Sequence, residues 1–164
     1  MRSRIRFVVA VALLACAVGQ TSLYAQGATS ASHPVGTLLV DGIGSQPSSI
    51  YSFGIGVSNP VTVGGGGSGA GNPQVTNVQV TRLSDALSPQ LFRAAVLGVH
   101  IASVDITIAK TGAAAASLYT LEDAVITGLA TSDALEQMSF AFARVRLSVG
   151  NATTCYDVAS NSSC

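Results

Sequence analysis

Tryptophan is absent from this 164-residue chain, aromatic residues make up 5% of it and charged residues 10%. A core without large rings has to be built from valine, isoleucine, leucine and alanine. Disorder is excluded, because 48% of residues are hydrophobic and disordered segments combine low hydrophobicity with high charge. Histidine is limited to His33 and His100, which leaves acid–base chemistry little to work with. A Ser-His-Asp set can be assembled only by choosing freely among many serines, and that is no evidence for one. Glu122 and Asp123 are adjacent, so on a strand they face opposite sides and make a poor carboxylate pair. They read as solvated, or with one of them paired to Arg144 or Arg146 on a neighbouring strand. The inventory points away from an enzyme and implies no cofactor.

What is present at the start of the chain is a sorting signal. "MRSRIR" carries Arg2, Arg4 and Arg6, and an apolar run follows from Phe7 to Val18. The run is too short to span a bilayer and has the basic flank of a secretory signal. Residues 1–25 are read as that signal, cut after Ala25, with a cut after Gly19 as the alternative. Residues 26–34, "QGATSASHP", read as a small polar tether. The expected location is exported, periplasmic or secreted. "LLAC", Leu13 to Cys16, also resembles a lipoprotein box. Lipid on Cys16 would instead anchor the protein at the cell surface or outer membrane, and a membrane is a partner only in that case.

Cutting off the signal removes three of the eight basic residues and leaves five against eight acids. A mildly acidic mature chain excludes nucleic acid as a partner, since that needs a basic surface. Of three cysteines, Cys155 and Cys164 remain, at either end of "CYDVASNSSC". Without a nearby histidine they lack the ligand count for zinc. Export to an oxidising compartment favours a disulfide between them; two free thiols in a frayed tail, residues 150–164, is the alternative.

Between tether and tail the pattern is mostly period-2. "GTLLVDGIG" reads as a short strand ending at an Asp41-Gly42 turn. In "IYSFGIGVS", Tyr51, Phe53, Ile55 and Val57 are expected on one buried face, with Ser52, Gly54, Gly56 and Ser58 opposite. "VTNVQVTRL" places Val78 and Val80 together. "SPQLFRAAVLG" breaks the period. Ser88 reads as an N-cap, Pro89 as the first helical residue and Gly98 as the stop, with Leu91, Ala94 and Ala95 on the inner stripe. Val104, Ile106 and Ile108 share a face of the next strand. "LYTLEDAVITGL" continues as strand, interrupted at Glu122-Asp123. In "QMSFAFARVRLSV", Met138, Phe140 and Phe142 share a face, then Val145, Leu147 and Val149 take over on the other parity. Such a slip marks a bulge or a strand turning a barrel corner. Six or so strands and one helix make a mainly β fold, a small barrel or sandwich.

The glycine stretch is Gly64, Gly65, Gly66, Gly67, Ser68, Gly69, Ala70, Gly71 and Asn72. It matches the dinucleotide fingerprint in letters only, because Pro73 and a strand follow where a helix must start. It lacks the Gly-Lys-Ser/Thr of a P-loop. It is not a domain linker, since neither side alone has strands enough for a core. A long connection between strands remains.

Taken in order, several pieces resemble the Hcp family, the tube-forming proteins of type VI secretion systems. They are "VDGIGSQ", "SFGIGVSNP", the glycine stretch with the strand and helix up to "GVH", then "DITIAKTG", "YTLEDAVIT" and "QMSFAFARVRLSV". The resemblance runs from Val35 to Val149. It implies a β-barrel built of two sheets with one short flanking helix, residues 35–149. It also implies self-association into a six-membered ring, with Gly64 to Asn72 as a loop reaching another subunit, and small effector proteins or secretion-machine components as further partners. Tyr51, Phe53 and the face from Met138 to Leu147 are expected to supply core or contact area. The function expected is an exported, non-catalytic structural protein forming rings or tubes. The alternative is an exported or surface-anchored binding module that reuses the fold.

Overall fold

In β5 (Val78–Leu83) alternation becomes burial: Val78 and Val80 are fully covered while Gln79 is exposed. The same rule shapes β1 (Gly36–Val40), β2 (Ser48–Gly54), β6 (Ile101–Ile108), β7 (Ser117–Ser132) and β8 (Leu135–Val149). The computed structural model describes residues 33–60, 72–109 and 116–164. Antiparallel pairing runs β8-β5-β2-β1-β6-β7, and β7 pairs again with β8, so six strands close into a barrel. Inside lie Leu38, Ile50, Val78, Val80, Val104, Ile106, Leu121, Met138 and Phe140. The core is aliphatic apart from Phe140, as a chain without tryptophan requires.

Helix α1 (Ser88–Leu97) packs on β7 and contributes Leu91 and Ala94 to the core, with Ala95 half-buried beside them. Gly98 ends it in the left-handed conformation, φ 60°, where a side chain would be strained. Its start corrects the sequence reading. Ser88 is the first helical residue and Leu87 stands at the cap position without a side-chain bond. Ser88 Oγ accepts the Asp85 N–H at 3.0 Å, and Asp85 Oδ1 accepts the Leu87 N–H at 2.7 Å. Asp85 thus supplies the turn that a capping serine was expected to supply.

Strand β2 is a second correction. Tyr51 is an extra residue, since Ile50 pairs with Arg82 and Ser52 already with Thr81. This bulge turns Ile50 fully inward and leaves Tyr51 half-buried. The strand stops at Gly54, and Val57, expected inside, belongs to another sheet and is 69% exposed.

The parity slip in β8 is one third of a larger feature. Burial changes parity between Ile101 and Val104 in β6, between Leu121 and Ala124 in β7, and between Phe140 and Val145 in β8. The registers skip the same level: Ser103↔Glu122 is followed by Ile101↔Ala124, and Glu122↔Arg144 by Ala124↔Phe142. Asp123 sits there at φ 51°. Aspartate visits this region more readily than most residues. Three neighbouring strands therefore turn one corner together. Gly36 fixes another close approach, because a Cβ there would overlap the Thr107 carbonyl oxygen across the β1–β6 ladder.

One interior position is ionic. Arg82 follows Val78 and Val80 on the inner face of β5 and is fully buried opposite Glu136, itself 3% exposed. Arg82 Nε donates to the Leu83 carbonyl at 3.2 Å and lies 3.7 Å from Glu136 Oε2. The guanidinium also pairs with Asp85, tying the barrel interior to the turn before α1. A buried charge that loses its partner is strongly destabilising, whereas an apolar replacement of the pair is often neutral. Glu136→Leu is therefore expected to lower unfolding free energy by about 3 kcal/mol. Arg82→Met together with Glu136→Leu is expected to recover most of that loss, as read from urea unfolding midpoints.

Candidate functional site

The expected contact loop leaves and re-enters the barrel through a short ribbon. Strand β3 (Val57–Ser58) pairs with β4 (Gln74–Val75) as Val57↔Val75 and Ser58↔Gln74. Gly64, Gly65, Gly66, Gly67, Ser68, Gly69, Ala70 and Gly71 lie outside the described residues, and Asn72, exposed, stands just before β4. A two-stranded ribbon this short does not hold by itself. Its root is clamped by polar contacts instead. The Gly56 N–H donates to Thr76 Oγ1 at 2.8 Å, the Thr76 N–H donates to the Gly56 carbonyl at 2.8 Å, and Thr76 Oγ1 returns to that carbonyl at 3.2 Å. Asn77 Nδ2 then donates to Thr127 Oγ1 at 3.1 Å, and Thr127 Oγ1 donates to the Ser139 carbonyl at 3.2 Å. Thr127 is the bulged residue of β7, between Ile126 and Gly128. The bulge therefore turns a hydroxyl toward the ribbon's root and fixes where the loop departs.

The tail expected after Val149 is ordered as β9 (Ala152–Asp157) against β8 and β10 (Ser162–Ser163) against β9. Cys155 and Cys164 are joined, with Cα atoms 5.3 Å apart, inside the range a disulfide spans. Cys16 lies outside the described residues. A shallow open depression beside the bridge is lined by Arg146, Thr153, Thr154, Cys155, Ser163 and Cys164.

Outside the barrel interior, several titratable groups form surface pairs. Glu122 accepts from Arg144 at 3.4 Å and from Arg146 at 3.2 Å, and Arg144 Nε donates to Asp157 at 2.8 Å, so one ion ladder crosses β7, β8 and β9. His100 Nδ1 lies 2.6 Å from Asp123 Oδ1, with both side chains well exposed. His33 is exposed. Among the described residues no group of three or more His, Cys, Asp or Glu is placed to hold a metal ion, and no helix is long and apolar enough to cross a membrane.

The expected contact faces separate cleanly. Met138 and Phe140 are core, and Phe53 packs on the core with its ring centroid 4.7 Å from that of Tyr119. Exposed apolar area lies elsewhere, on Phe92, Val96, Leu97 and Val99 along the outer side of α1 and just beyond it. Reading α1 only for its inner stripe missed this patch. The signal was Val96, which does not fit that stripe.

A closed barrel, a flanking helix and a short clamped ribbon are in place, and a family model decides the rest. The model described as "Type VI secretion system effector, Hcp" matches residues 45–149, well over half of the chain. The chain belongs to the Hcp family. Among solved structures, Hcp1 from Salmonella typhimurium is 21% identical with a TM-score of 0.65, over 79% of this chain and 97% of that one. A type six secretion system protein is 18% identical with a TM-score of 0.69, over 80% of this chain and 100% of that one. Hcp2 from Salmonella typhimurium is 22% identical with a TM-score of 0.57, over 77% and 98%. At these identities the structures establish the shared fold. No curated protein matches the chain. Membership makes this Hcp protein a structural component of a secretion system and not an enzyme.

Two measurements check the site. Thr76→Val keeps the shape at the ribbon root but removes the hydroxyl, so Gly56 amide exchange is expected to rise about tenfold with β5 unchanged. Asp157 accepts the Ser160 N–H at 2.9 Å and the Arg144 guanidinium, and these hold its carboxyl down from 3.8 to about 2. A lowered carboxylate stabilises the fold above its unfolded value, and that contribution disappears as pH falls through the folded one. The Asp157 carboxyl carbon is expected to titrate near pH 2 by NMR. Arg144→Gln should move the midpoint up while leaving it below 3.8, since the Ser160 bond, the larger cause, remains.

Proposed function

We propose that the mature protein, after loss of residues 1–25, assembles as a homohexameric ring and that rings stack into a tube. Gly64 to Asn72 serves as the arm touching a neighbouring copy, and small effector proteins travel in the ring opening. The observation that carries this reading is the family match over residues 45–149 together with a barrel that launches the arm from a clamped root. A cyclic ring needs two different complementary patches on each copy. The arm supplies one that is long and without charge, and glycine lets it follow a neighbour's backbone closely. The exposed side of α1 and the ion ladder across β7, β8 and β9 offer two unlike surfaces for the other.

The basic start and apolar run of residues 2–18 support export, with the product periplasmic or secreted. Residues 26–34 act as the tether, and residues 150–164 form a disulfide-closed extension of the barrel. Analytical ultracentrifugation of the chain starting at Gln26 is expected to show a particle near six protomer masses. Deleting Gly64 to Gly71 is expected to abolish tube formation while leaving the barrel folded, as seen by electron microscopy and circular dichroism. A monomer at every concentration would overturn the reading.

A further inference from the structure

We propose that the Cys155–Cys164 bond is a redox-controlled lock on a strand cover: it keeps β9 over one edge of β8, and its reduction opens that edge to pairing with a second copy of the chain. Residues Arg144 to Val149 of β8 are paired on one side with Ser117 to Glu122 of β7. Their other side is covered only by β9, from Arg144↔Asp157 to Val149↔Ala152. This part of β8 is an interior strand only while β9 is in place.

The cover has little apolar anchorage. No residue of β9 or β10 belongs to the core or to the half-buried hydrophobic layer packed against it. Its attachments are exposed and polar. Arg144 bonds Asp157 at 2.8 Å, Ser148 pairs with Thr153 at 3.0 Å, and the Val158 N–H donates to the Ala143 carbonyl at 2.8 Å. Exposed contacts of this kind are individually weak. Strand β10 makes just two pairs, Ser162↔Asp157 and Ser163↔Tyr156, too few to stay in place by themselves. The covalent bond closes a ten-residue loop and removes much of the freedom the hairpin would gain on leaving the barrel. The bond joins β9 to the end of the hairpin and not to β8, so it favours the docked state by holding the hairpin in its docking shape.

Opening the lock takes two electrons and two protons from a small dithiol. Both protein sulfurs become thiols and the dithiol becomes a cyclic disulfide. The exposed β8 edge, "RVRLSV", then presents unpaired N–H and carbonyl groups, which template strand addition. Its own copy is a compatible partner. Antiparallel pairing centred on Leu147 sets Leu147 opposite its own copy, Arg146 opposite Ser148 and Val145 opposite Val149, so no two arginines face each other. This proposal does not rest on the ring: its exchange readout is local to β8 and β9, and its association readout is the difference between the bond-free and oxidised forms.

The test compares oxidised protein, protein reduced with dithiothreitol, and the Cys155→Ser/Cys164→Ser double variant without reductant. Amide exchange in β9 and in Arg144 to Val149 is expected to rise roughly 10- to 100-fold in both bond-free forms. Exchange in β5 should stay the same, and both forms should sediment as larger species than the oxidised protein. Unchanged exchange at β8 and β9 would overturn the proposal. So would an equal rise in β5, which would make the bond a general stabiliser, or faster edge exchange without added association.

Discussion

Closing a six-stranded barrel around small aliphatic side chains requires the two longest strands, β7 and β8, to bend at one level. A sheet twists steadily but does not fold back on itself without local relief. Here the relief is concentrated at Asp123, whose positive φ lets β7 change parity while β6 and β8 change beside it. Below that corner β8 pairs with β5, and above it with β9. One strand thus serves both as a stave of the barrel and as the base of the C-terminal cover. The bend also decides which side chains reach the core: Met138 and Phe140 on one side of it, Val145 on the other.

The sequence made this corner partly legible. The switch from Met138, Phe140 and Phe142 to Val145 and Leu147 is a change of parity that needs no coordinates to see. The β7 slip was legible as the interruption at Glu122-Asp123, but that β6 changes at the same level was not, because Ala102 and Ser103 hide its slip. Glu122 did find Arg144 and Arg146, as charge and neighbouring strands suggested. The errors share one cause. Tyr51 looked like the inner member of a clean alternation, and an inserted residue shifted the face to Ile50. Ser88 looked like a cap, and Asp85, three residues earlier, did that work. Single-residue insertions and local side-chain bonds leave composition and periodicity almost unchanged.

Arg82 escaped for a different reason. On pattern alone a charged residue after Val78 and Val80 marks the end of a buried face. In the structure that face continues, and the charge is accommodated by Glu136 across the strand and Asp85 at the turn. An ionic cluster inside a barrel is weak evidence for stability but a strong constraint on register. Moving β5 by one residue relative to β8 would face Arg82 outward and leave Glu136 buried without a counter-charge. The cluster therefore works against strand slippage in a core whose aliphatic side chains differ little in shape.

Closure also explains where strand edges remain. A complete barrel has no edge strands, so strand edges survive only where chain is added outside it. One addition is the β3–β4 ribbon, fastened to the barrel by Thr76, Asn77 and Thr127 and carrying the glycine arm. A second, among the described residues, is the β9–β10 hairpin, attached to β8 by backbone pairing and an ion pair and closed on itself by Cys155 and Cys164. Both are attached by polar contacts and backbone pairing, and neither contributes a residue to the buried core. The two differ in how strand pairing is managed. The ribbon is bounded by Asn59-Pro60 after β3 and Asn72-Pro73 before β4, and a proline cannot donate to a ladder. The hairpin is closed between Cys155 and Cys164. In this fold the core specifies the shape, and the two polar-rooted additions lie outside it.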